Sequence, residues 1–101
     1  MAMLQITIIP SPPMDNSSSV SEYVAEALKV VESSGLKYKL TPTATIIEGD
    51  LDSLFSIAKK IHEAPFKLSA KRVVTVIMID DRRDKQINME YKLNSVIKKL
   101  K

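Results

Sequence analysis

Cysteine is absent from the chain. Disulfides, thiolate metal sites and cysteine nucleophiles are therefore excluded. Glycine occurs only twice, at Gly35 and Gly49. No glycine-rich phosphate loop can be built from that. The five aromatics, Tyr23, Tyr38, Phe55, Phe66 and Tyr91, form no RRM-like sheet motif. There is no long apolar run. The opening "MAMLQITIIP" is cut by Gln5 and Thr7 and has no basic n-region. It reads as a first strand, not as a signal peptide or a membrane span. The cytoplasm is the expected location.

What is present is an ordinary globular composition, 45% hydrophobic and 27% charged. Its 101 residues fit one domain, taken as residues 1–101. A chain of this size buries about 65% of its unfolded surface. A pocket is expected on a sheet face or between subunits. The net charge is +3, but the basic residues are scattered in short clusters. Nucleic-acid binding wants them focused on one face, so none is expected.

Chemistry-bearing groups are sparse. His62 is the only histidine and falls near the end of a helix, where a boundary role explains it. Asp80, Asp81 and Asp84 could bind a metal through oxygen, yet Arg82 and Arg83 stand among them, which favours a salt-bridged turn. No catalytic triad, metal site or cofactor site emerges, and no enzymatic activity is expected.

The hydropathy pattern is more informative. Met3 to Ile9 alternates as a strand that Pro10 should end. "PSPPMDNSSS" reads as a long loop. Ser19 and Glu22 make a capping box for a helix whose stripe is Val20, Val24, Ala27, Leu28 and Val31. Gly35 suits the residue after its last turn. Strands follow at about Leu36–Leu40 and Thr43–Glu48, joined by a turn short enough to favour antiparallel pairing. A second helix starts at Asp50, an acceptable N-cap, with Leu51, Leu54, Phe55, Ala58 and Ile61 as its stripe. It ends before Pro65. Arg72 to Asp80 is apolar on both faces and should be an interior strand or one covered by another subunit. A last helix spans about Gln86 to Lys99, with Leu93, Val96, Ile97 and Leu100 on one side.

The order β-α-β-β-α-β predicts an α+β, ferredoxin-like sandwich: a four-stranded antiparallel sheet with two helices on one face, plus a C-terminal helix. The other face would be rich in Val, Ile and Thr. Either the extra helix or a second copy of the chain must cover it. Self-association is expected from that pattern alone.

Binding candidates lie at the ends of these elements. Ser19 and Ser21 flank a helix start, where exposed amides offer hydrogen bonds; capping alone accounts for Ser19. Thr45 lies inside a strand, where β-branching also explains it. Glu48 ends that strand in "TATIIEGDLDSL", either as an exit to solvent or as a polar contact.

Three segments, "SVSEYVAEALKVVESSGLKYKL", "TATIIEGDLDSLFSIAKKIHEA" and "AKRVVTVIMIDDRRDK", together resemble the small YkoF-like thiamine-binding family, from about Ile6 to Lys85. The resemblance implies the same ferredoxin-like fold. It also implies homo-oligomers, commonly tetramers built as dimers of dimers. The expected ligand is thiamine or its hydroxymethylpyrimidine moiety, bound without turnover. Carried onto this chain, the implied ligand residues are Ser19, Ser21, Thr45 and Glu48. Arg82 is the member of the basic turn that would meet a phosphate or a neighbouring subunit. The segment Ser11 to Ser18 departs from the shorter, glycine-containing loop of the family. The alternative is a ferredoxin-like regulatory or protein-interaction module that binds another metabolite or a protein.

Overall fold

A computed structural model describes residues 1–11, 20–86 and 88–100. The order is β1 (Ala2–Ser11), α1 (Val20–Ser34), β2 (Lys37–Leu40), β3 (Thr45–Gly49), α2 (Leu51–Glu63), a 3-10 segment (Ala64–Leu68), β4 (Arg72–Asp80) and α3 (Met89–Leu100). The sheet order is β2-β3-β1-β4, antiparallel throughout. This is the ferredoxin-like arrangement that the alternation of strands and helices requires. The Ser19 cap and the Pro12–Ser18 part of the first loop lie outside the described residues.

Opposite residues of an antiparallel pair share a face. The register therefore sorts the sheet into rows. Toward α1 and α2 point Tyr38, Ile47, Leu4 and Ile79 in one row, and Leu40, Thr45, Ile6 and Ile77 in the next. Leu4, Ile6 and Ile47 of these rows form the core with Val31, Leu54, Ala58 and Ile61, and Tyr38 and Ile79 pack against it. Toward the opposite face point Lys37, Glu48, Met3 and Asp80, and then Lys39, Ile46, Gln5 and Met78.

Several element boundaries differ from expectation for physical reasons. β1 runs through Pro10, which pairs with Val73. Pairing with β3 stops at Ile6 opposite Thr45, so β1 has one strand neighbour from Thr7 on. A proline is tolerated on such a one-sided stretch. Pro65 ends α2 but opens the 3-10 turn. In α2, Leu54 is fully buried while Phe55 is 53% exposed, and Ile57 takes the core position. Helical spacing permits either residue beside Leu54 and Ala58; the direction of the sheet decides.

The two glycines have different reasons. Gly35 has φ 74, the left-handed conformation expected at a helix end. Gly49 is held by space: a Cβ there would lie 3.3 Å from the Leu36 side chain. Asp50 caps α2 as expected, accepting from the Ser53 N–H at 3.0 Å and its hydroxyl at 2.6 Å. Those two donors hold the Asp50 carboxyl below the usual carboxylate range.

Candidate functional site

Glu48 is 4% exposed, a buried carboxylate at the end of β3. Its Oε1 accepts the backbone N–H of Met89, the first residue of α3. A carboxylate at a helix N-terminus satisfies an orphan donor and compensates the dipole. Asn88 adds a second cap: its Oδ1 accepts the Tyr91 N–H at 2.8 Å. Two ion pairs complete the attachment of α3. Lys37 Nζ reaches Glu90 at 2.7 Å, and Lys92 pairs with Asp80. Lys37, Glu48 and Asp80 all belong to one row of the sheet. α3 is thus tied over the open face by polar contacts along that row. Its own stripe stays exposed at Leu93, Val96, Ile97 and Leu100. The helix therefore covers only one end of the face that the sequence left uncovered.

The Glu90 tether titrates. Its carboxyl lies below the usual range, chiefly because Lys37 donates to it, and the Lys37 ammonium is raised by the same bond. A carboxyl depressed by docking contributes stability above its ordinary value, and that contribution is lost as pH falls through the depressed one. As pH falls through the acidic range, α3 resonances should shift with a midpoint below the ordinary glutamate value. Lys37→Met should move that midpoint up toward the ordinary glutamate value. An NMR titration giving the same midpoint in both proteins would refute the tether.

Thr45 occupies the other face. It lines a cavity of about 210 Å³ between α1, β1 and the β2–β3 turn, with Ile6, Ile8, Val24, Leu28 and Thr43. The turn is closed by Thr41, whose hydroxyl donates to the Ala44 carbonyl at 2.9 Å and accepts the Ala44 N–H at 3.0 Å. Thr7 fastens it to β1 by donating to the Thr43 carbonyl at 2.9 Å. Ser21 falls in the first turn of α1, one turn before Val24; its side chain and Ser19 are outside the described residues. Thr45 and Glu48 are three residues apart on one strand, so they face opposite sides of the sheet and do not share a cavity. Thr41 and Thr43, not anticipated, belong to this cavity. Their only sequence signal was the Thr-Pro-Thr turn.

Arg82 lies beyond β4. Its guanidinium binds Asp84 through Nε at 2.6 Å and Nη2 at 3.0 Å. Arg83 pairs with Asp81 at 2.8 Å. This is the salt-bridged turn expected from "DDRRD". Arg82 is brought close to neither Thr45 nor the α1 start. His62 is a boundary residue, with Nδ1 2.6 Å from the Thr75 hydroxyl and its ring edge-on to Phe66. Among the described residues no cluster of three His, Cys, Asp or Glu is placed to hold a metal. None of their helices is long and apolar enough to cross a membrane.

Two further spaces lie on other parts of the surface. A cavity of about 360 Å³ lies under α3 on the open face. A wider groove of about 610 Å³ runs between α1 and α2, but it is open and lined largely by serines and lysines.

The chain has close relatives. Residues 4–97 match the family model described as thiamine-binding protein. The protein YqgV of Bacillus subtilis is 47% identical, over 99% of this chain and 98% of its own length. A relative in Methanothermobacter thermautotrophicus is 35% identical over 99% of this chain and 100% of its own. Among solved structures, a hypothetical protein of Methanocaldococcus jannaschii superposes with a TM-score of 0.82 at 33% identity, over 94% of each chain. A match that runs from β1 through α3, on a shared ferredoxin-like fold, places the chain in the thiamine-binding protein family.

Proposed function

We propose that this protein binds thiamine, or its hydroxymethylpyrimidine part, without catalysing a reaction, and that it does so as a cytoplasmic homo-oligomer. The observation that carries the reading is the Thr45 cavity. At about 210 Å³ it is smaller than a drug-sized pocket of ~300–1,000 Å³, which suits one heteroaromatic ring. Ile6, Ile8 and Leu28 offer apolar contact to a ring face, and threonines stand at one end. An aminopyrimidine presents an amine donor and ring-nitrogen acceptors. Hydroxyls can answer both. We assign Thr45 to the ring, together with Ser19 and Ser21 at the start of α1. Glu48 acts indirectly, by holding α3, and Arg82 belongs to the basic turn on the far side.

Oligomerisation is supported by the open sheet face. Ile9, Val74, Val76 and Met78 are exposed there beside the uncovered stripe of α3. A continuous apolar surface of this kind marks an association site. In this reading a second copy covers it, and the assembly is a dimer of dimers. The same surface is what favours the interaction-module alternative.

Calorimetric titration with thiamine and with hydroxymethylpyrimidine tests the binding. Saturation near micromolar, about −8 kcal/mol, is expected. Thr45→Val should weaken it by about tenfold or more, because it keeps the shape and removes the hydroxyl, leaving a ligand polar group unpaired at a cost of ~1–3 kcal/mol. No heat with either ligand, in a protein that still self-associates, would move the assignment to the interaction module.

A further inference from the structure

The space under α3 has a chemistry of its own, on the face of the sheet opposite the Thr45 cavity, with Thr41 at the edge of both. Its floor is the row Lys39, Ile46, Gln5 and Met78. Met3, Met89 and Leu93 close it from the side and above. The space is mostly apolar, with the Gln5 amide as the one uncharged polar side chain of the floor row. Methionines give such a wall an adaptable, polarisable surface suited to a flat ring.

A second space adjoins this cavity. It measures about 450 Å³ and lies between α3 and the turn after β4; the Asp80–Lys92 ion pair stands between the two spaces and lines both. That cleft is basic. Arg82, Lys85, Lys92 and Lys99 surround it, with the Tyr91 and Ser95 hydroxyls. Two of the four cations are already matched, Arg82 by Asp84 and Lys92 by Asp80. Lys85 and Lys99 have no carboxylate partner among the described residues. Lys85 lies over the Tyr91 ring, 5.4 Å from its centroid. Two unmatched ammonium groups balance one phosphate monoester, which carries about −1.5 to −2 at pH 7.

We propose that the two adjoining spaces under α3 make a second ligand site, for a small phosphorylated organic molecule that spans the Asp80–Lys92 pair. Its apolar or aromatic body enters the methionine-lined cavity over Gln5, and its phosphate lies in the cleft between Lys85, Lys99 and Ser95. A free inorganic phosphate uses only half of this site. A neutral aromatic uses only the other half. Neither should match a molecule that carries both parts.

Phenyl phosphate is the probe, with inorganic phosphate and benzyl alcohol as the two half-ligands. Calorimetry should show phenyl phosphate binding at least about tenfold tighter than either half. NMR should move the Gln5, Met78, Lys92 and Ser95 resonances while leaving Thr43 and Thr45 in place. A Lys85→Ala, Lys99→Ala double variant should lose about tenfold or more for phenyl phosphate and keep its thiamine affinity. Both lysines are solvent-exposed, so folding is not at stake. Binding of phenyl phosphate no tighter than inorganic phosphate would reduce the site to a charged patch and overturn the proposal. So would resonance changes confined to Thr43–Thr45, or an affinity unchanged by the double variant.

Discussion

Val76→Lys is expected to turn the proposed homo-oligomer into single chains of 11.3 kDa. Val76 is 56% exposed in the isolated chain and stands opposite Thr7 on the open face. In one chain alone, a lysine there reaches water, so fold stability should change by no more than about 0.5 kcal/mol. In an oligomer that buries this face, the same ammonium is stranded without a partner. An uncompensated buried charge costs about 3–5 kcal/mol, which weakens association by more than about 100-fold. Light scattering on both proteins gives the answer. A wild-type mass of one chain would refute self-association outright. An assembled Val76→Lys variant would show that the interface lies elsewhere.

Glu48→Ala should release α3. A hydrogen bond to an ionised group is worth roughly 1.5–3 kcal/mol net, and this one anchors the first turn of a 12-residue helix. A helix of that length is marginal on its own. Undocking should therefore melt it, with loss of helical circular dichroism and of dispersed signals from Met89 onward. The sheet and α1–α2 core should persist. Glu48→Gln keeps an acceptor oxygen and should fall between the two. The pair of variants also tests the ligand assignment. If Glu48→Gln lowers thiamine affinity while the α3 signals stay in place, the carboxylate itself touches the ligand. Unchanged α3 signals in Glu48→Ala would remove the tether from the account.

The strands and helices were legible from their patterns: alternation in Met3–Ile9, a continuous β-branched apolar run in Arg72–Asp80, and a period near 3.6 in Val20–Val31. Asp50 and Gly35 were legible because caps are local. The partner of Glu48 was not, since Met89 lies 41 positions away and contributes only a backbone N–H. That Thr45 and Glu48 face opposite sides was available from parity alone, yet grouping both residues as ligand contacts passed over it. Phe55 was misplaced because two apolar stripes overlap on α2, and only the packed sheet distinguishes them. The basic cleft under α3 had a signal in the seven-residue spacing of Lys85, Lys92 and Lys99. Its meaning depended on where α3 docks.

β1 is one of the two interior strands of the sheet and the first of them to be made. Its partners come late: Ile6 pairs with Thr45, and Met3 pairs with Asp80. At the ribosome, then, the α1–β2–β3 segment can form while β1 waits for β4 to emerge. Ribosomes add about 5–20 residues per second, so the apolar Leu4–Ile9 segment stays without its β4 neighbour for several seconds. Long-range pairings of this kind also make folding slow once the chain is free. A nascent chain stopped before Arg72 should therefore leave β1 open to proteases and chaperones, whereas one that extends past Asp80 should protect it.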